Sequence, residues 1–193
     1  QAPVITPSAS CGTYTGGQTI TLTANEGGVI YYTTDGSDPI TSGSRQQYAA
    51  PISITSITTL KYYAVDAANN LSAVVSQTYS INYTLTVTKS GTGSGAVTSN
   101  PAGISCGTDC TENYSSGTSV TLTATPDTGS TFTIWSGACT GTGTCTVMMD
   151  AAKNVTATFA KINRAPVASD SSIVVLKDMP AGAMLSASDA DSD

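Results

Sequence analysis

The chain has 193 residues, enough for one large domain or two small ones, and only 10% of them are charged. Its net charge is −6 at pH 7 with seven scattered basic residues, which excludes the clustered Lys and Arg that nucleic acid or an anionic membrane surface requires. Histidine is absent, which excludes Ser–His and Cys–His nucleophile pairs, and the only two glutamates, Glu26 and Glu112, stand in no glycosidase-like setting. The chain therefore reads as non-catalytic, with no cofactor required. Thr and Ser make up roughly three residues in ten, and with Gly-rich turns they predict an all-β fold. No apolar run approaches a membrane span, so no membrane insertion is expected. Five cysteines without histidine point to an oxidising compartment. A start at Gln1 suits a secreted protein relieved of its signal peptide, or equally a trimmed piece, and an extracellular or cell-surface location is expected.

In chain order, strands are predicted near residues 2–6, 18–25, 28–34, 52–55, 58–66 and 73–83, with "TTDGSDP" as a turn after the third. A second series follows near 84–89, 95–99, 118–125, 131–136, 144–148 and 154–160. "GGQTITLTA" (16–24) and "SGTSVTLTA" (116–124) repeat one alternating pattern about a hundred residues apart. Ile20, Leu22 and Ala24, or Val120, Leu122 and Ala124, face one way and the threonines the other. That repetition predicts two β modules in tandem, 1–83 and 84–161, followed by an extended tail, 162–193. Six or seven short strands per module make tandem β-sandwiches of immunoglobulin-like type the expected architecture. "TYSINYTLTV" joins them without Gly or Pro, so the junction is expected to be stiff.

The segment "GGVIYYTTDGSDPITSGSRQQYAAPISITSITTLKYYAVDAANNLSAVVSQTY", and more broadly residues 10–83, resembles the chitobiase/β-hexosaminidase C-terminal domain. The resemblance implies an immunoglobulin-like accessory module of a bacterial surface protein, and carries no hydrolase activity. "GTSVTLTATPDTGSTF", "WSGACTG" and "CTVMMDAAKNVTATF" resemble the divergent internalin-B-type repeat, which implies a compact stalk or spacer module. Ile134 stands where that family usually has Gly, so a local backbone difference is expected before Trp135. "NRAPVASD" and "SDADSD" resemble the start of a cadherin-like bacterial repeat.

Cys106 and Cys110 are four apart, and Cys139 and Cys145 six apart, each pair within a Gly/Thr-rich loop. Four cysteines allow three pairings, of which the two local disulfides are favoured because each staples one loop. Zinc is the competing reading, but the second gap exceeds the usual ligand spacing. Cys11 is left over, either as a buried small hydrophobe, the favoured reading, or as an intermolecular bridge. Alternation forbids both members of Tyr31/Tyr32, or both of Tyr62/Tyr63, from facing the core, so one of each pair is expected on the outer face. Such tyrosines could stack on sugar rings, contact a neighbour, or pair across strands, the last being the ordinary case. Asp35 and Asp38 are expected to cap their turn. Asp189, Asp191 and Asp193 have the two-residue spacing of a weak calcium candidate, and a solvated acidic end is the favoured reading.

Ile173, Val174, Val175 and Leu176 form an unbroken apolar run that needs cover on both faces. Residues around 170–188 are therefore expected to add to a β module, the chain's own or preferably a neighbour's. The expected function is a non-catalytic structural subunit of a bacterial extracellular fibre, stalk or surface assembly, polymerising head to tail with itself. The alternative is a carbohydrate-binding accessory module of a longer secreted protein.

Overall fold

The structure, a computed structural model, describes residues 1–165, 167, 168, 187 and 188. Its described residues form strands and turns, in agreement with an all-β fold. The first half carries β1 (Ile5–Pro7), β2 (Gly12–Thr15), β3 (Gln18–Ile20), β4 (Leu22–Ala24), β5 (Gly28–Thr33), β6 (Gln46–Gln47), β7 (Ile52–Ile54) and β8 (Thr58–Asp66). A long strand, β9 (Val75–Gly91), leads into β10 (Gly95–Asn100), β11 (Thr111–Ser115), β12 (Ser119–Pro126), β13 (Ser130–Gly137), β14 (Cys145–Met148) and β15 (Lys153–Lys161). In the tail, β16 (Val167–Ala168) pairs antiparallel with β17 (Ala187–Ser188) in a ladder of its own.

The two strands expected on either side of the junction are one. β9 has 17 residues and alternates cleanly: Tyr79, Ile81, Tyr83, Leu85 and Val87 are buried, while the intervening Ser80, Asn82, Thr84 and Thr86 are half-buried. It is the spine of an eight-stranded sheet running β13-β15-β9-β8-β5-β6, with β2 and β11 also on β9. β8 and β11 lie antiparallel along one edge of β9, at Val75–Tyr79 and Asn82–Thr86. β2 and β15 lie parallel along the other, at Tyr79–Asn82 and Leu85–Gly91. Two strands per edge, in series, hold one backbone from end to end.

The expected single strand 18–25 is two. Thr21 breaks it by turning its N–H to the Ser8 hydroxyl (2.9 Å) and its carbonyl to the Ser8 N–H (2.8 Å). β3 then pairs with β7, and β4 with β1. These pairs bury Ile5, Ile20, Leu22, Ile52 and Ile54 in one cluster with Ile30, Leu60, Tyr62 and Tyr79 of the large sheet. In the second half, β10-β12-β14 supplies the opposing layer, with Val97, Val120, Leu122 and Val147 in the same continuous cluster as Leu85, Val155, Ala157 and Phe159. The apolar core therefore does not stop at the junction.

Candidate functional site at the junction and its flanking loops

The junction is built from equivalent pieces of the internal repeat. Gly16, after β2, donates its N–H to the Asn82 carbonyl, and Ser116, after β11, donates its N–H to the Ile81 carbonyl, each at 2.8 Å. Successive carbonyls of a strand point to opposite edges, so the two donors grip β9 from both sides at one level. A second set of bonds converges on Thr55, whose carbonyl accepts from the Tyr83 hydroxyl and from the Ser116 hydroxyl, both at 3.0 Å. A carbonyl has two lone pairs and can hold both donors. The loop after β7 in the first half is thereby tied to the turn after β11 in the second. Neither β2 nor β11 was expected from the sequence, because "GTYT" and "TENYS" carry too few apolar residues to show alternation. The signal that would have found them is Tyr14 and Tyr114, which extend the repeat backwards by one short strand each.

Flanking the junction, Cys106 bonds to Cys110 and Cys139 to Cys145, both as disulfides. Cys106 and Cys145 are fully buried, so each bridge fastens an exposed loop to the core. Trp135 is 2% exposed and packs on Phe132 with ring centroids 4.9 Å apart, and Phe132 meets Phe159 at 5.8 Å. The β13–β15 register shifts between Phe132 and Ile134, and Ile134 itself points outward.

Tyr31 and Tyr63 make the cross-strand pair that is the ordinary case for outward tyrosines. Alternation does send Tyr62 to the core and Tyr63 to the opposite face, but Tyr63 is buried as well, at 3% exposure. Tyr31 stacks on it at 5.5 Å, the Arg45 guanidinium lies 4.8 Å from the Tyr31 ring centre, and Arg45 Nη1 donates to the Tyr63 hydroxyl at 3.0 Å. Tyr31 and Tyr32 are half-buried, Tyr32 meeting Tyr48 edge-on at 6.4 Å. The loop leading to β6 thus caps the outer face of the Tyr31–Tyr63 pair. Asp35 anchors that loop: its carboxylate accepts from the Ser37 hydroxyl (2.5 Å), the Ser37 N–H (2.9 Å) and the Ser44 hydroxyl (2.7 Å). These bonds, the Ser37 hydroxyl first, hold the Asp35 carboxyl down to about 2. Asp38 caps the following turn through the Ile40 N–H at 2.9 Å.

Cys11 departs from the favoured expectation, since its thiol is exposed rather than buried. Tyr62 and Tyr79 are each fully buried in the core of the same half. Burial, then the neighbouring tyrosines, pushes the Tyr79 hydroxyl up to about 12. Ile173, Val174, Val175 and Leu176, and Asp189, Asp191 and Asp193, lie outside the described residues. Among the described residues no group of three or more Cys, Asp or Glu side chains is placed to hold a metal ion.

Two known families match successive parts of the chain. The chain matches no curated protein and no solved structure. Residues 9–76 match the chitobiase/beta-hexosaminidase C-terminal domain, and residues 83–163 the divergent InlB B-repeat domain. The boundary between the two matches falls within β9. Both are non-catalytic accessory domains of the bacterial surface type, and the B-repeat match with two disulfides points to an extracellular or surface bacterial protein.

Proposed function

We propose that this chain is a stiff structural segment of a bacterial extracellular stalk, fibre or surface assembly. The observation that carries the reading is β9, one uninterrupted strand that belongs to both modules and is gripped on both edges at their boundary. A flexible linker lets two domains move independently, whereas a shared strand with a continuous buried stripe transmits bending and tension directly. The disulfides fit the same role by fastening exposed loops against local opening.

The finer part of the reading is head-to-tail assembly through the apolar run Ile173–Leu176, added as an extra strand to a β module of the next copy. Support comes from the composition of that run, which cannot be left in water on both faces. Negative-stain electron microscopy of the purified chain, with and without residues 166–193, tests it. Filaments that vanish on truncation agree; particles of unchanged size in both preparations contradict it. The glycan-binding alternative draws on outward tyrosines, and it has less support because Arg45 lies over the Tyr31 ring and bonds the Tyr63 hydroxyl.

A further inference from the structure

β12, the middle strand of the three-stranded sheet, is covered unequally on its two edges. β10 pairs with it from Thr121 to Pro126, but β14 covers only Ser119 to Leu122, ending at the Leu122–Cys145 pair. The Val97 carbonyl, opposite Ala124, points away from β12 and accepts the Cys106 N–H at 2.7 Å. Ala124 therefore turns its own N–H and C=O to the other edge, where β14 would have continued. The chain leaves that edge because Trp135 draws it off. Its N–H donates to the Gly141 carbonyl at 2.7 Å, its indole Nε1 donates to the Gly143 carbonyl at 3.0 Å, and the Cys139–Cys145 bridge closes the loop.

What remains is a cleft of about 340 Å³ between the two layers, walled by Leu122 and Ala124, by Phe132 and Trp135, and by Thr142 and Thr144. Its lining is uncharged, its floor is apolar, and one wall offers a main-chain donor and acceptor with no partner among the described residues. A sugar ring has little to stack on, since Trp135 is 2% exposed. An extended apolar peptide satisfies both features at once, with backbone hydrogen bonds to Ala124 and alternate side chains in the cleft.

We infer that this cleft is the acceptor for the Ile173–Leu176 segment, an assignment that rests on the donated-strand reading above. The Ile162 N–H donates to the Gly129 carbonyl at 2.9 Å, so β15 delivers the chain to the turn joining β12 and β13. About ten residues separate Ile162 from Ile173 and span up to ~33 Å, while the five steps from Gly129 back to Ala124 cover at most about 17 Å. The segment is thus tethered within reach of an uncharged cleft, and it is itself uncharged and β-branched at three of its four positions.

The test places p-benzoylphenylalanine at the exposed rim position Thr142 of the full chain and maps the photo-crosslinks by mass spectrometry. A crosslink to the peptide containing residues 173–176 is expected; crosslinks elsewhere, or none, overturn the assignment. Ala124→Pro removes the N–H that faces the cleft and leaves the β10 ladder its bonds, so the crosslink yield should fall roughly fivefold, the worth of one net hydrogen bond. Val175→Asp alters no residue of either module and should abolish the crosslink, and an unchanged yield in that variant also overturns the assignment. Whether the crosslink is found in covalent dimers or in monomers decides separately between assembly through a neighbour and docking within one chain.

Discussion

Gly16 and Ser116 occupy equivalent positions in the internal repeat and bond to neighbouring carbonyls of one strand, Asn82 and Ile81, from opposite sides. One sequence element has been used twice, once parallel to β9 and once antiparallel, to clamp the place where two modules meet. The fastening is polar at the surface and apolar beneath, and the two layers are separable by mutation.

The polar layer is expected to be modest. Ser116→Ala and Tyr83→Phe each remove one bond to the Thr55 carbonyl and should each cost about 0.5–1.5 kcal/mol in chemical denaturation. The double variant should cost less than the sum if the carbonyl is rehydrated once either donor is lost. A cost above that of the separate changes combined would contradict the shared-acceptor picture.

The apolar layer is expected to dominate and to couple the modules. Ile81 is 1% exposed within the stripe that crosses the junction, so Ile81→Ala should cost about 2–5 kcal/mol. Because both modules bury against that stripe, calorimetry should show one transition in the wild type, moving as a unit in the variant. Two resolved transitions, only one of them shifted, would show independent modules.

Asp35 supplies a pH dependence whose sign is set by its lowered pKa. The folded value, about 2, lies below the ordinary 3.8, so the carboxylate's support of the loop is complete above about pH 4 and is lost as pH falls toward 2. The same loop holds Arg45 over Tyr31 and Tyr63, so tyrosine near-ultraviolet circular dichroism should change in that window. An NMR titration of Asp35 with a midpoint near 3.8 would count against the Ser37 and Ser44 bonds.

The Tyr62 hydroxyl is buried and has no hydrogen-bond partner among the described residues. Burial raises its pKa, as expected for a phenol taken from water without an acceptor. Tyr62→Phe should therefore leave stability within about 0.5 kcal/mol or increase it, whereas most fully buried substitutions destabilise. A loss above that range would reveal a partner for the hydroxyl.

Where the sequence was legible, local pattern and fold agreed. The threonine alternation located the long strands, and "TYSINYTLTV" revealed a junction without a break because every second residue is apolar across it. The Gly/Thr-rich cysteine loops pointed to the two disulfides through spacing alone. What escaped depends on contacts far apart in the chain. β2 and β11 are strands only because β9 offers them an edge, and their own residues scarcely alternate. Tyr63 obeys its alternation, yet its burial comes from Arg45, 18 residues earlier, on a loop whose path no periodicity encodes. Cys11 is exposed, although a lone cysteine reads from sequence as a small hydrophobe.

Stiffness across β9 is measured most directly as a distance distribution between the modules. Cys11 is free and exposed and takes a spin label in the first module; Thr128→Cys, on the exposed turn between β12 and β13, provides the second. Double electron–electron resonance should give a single narrow distance, no broader than label rotamers alone produce and unchanged by Ser116→Ala. A broad or bimodal distribution would mean that the modules move independently, and would contradict the reading of this chain as a stiff segment.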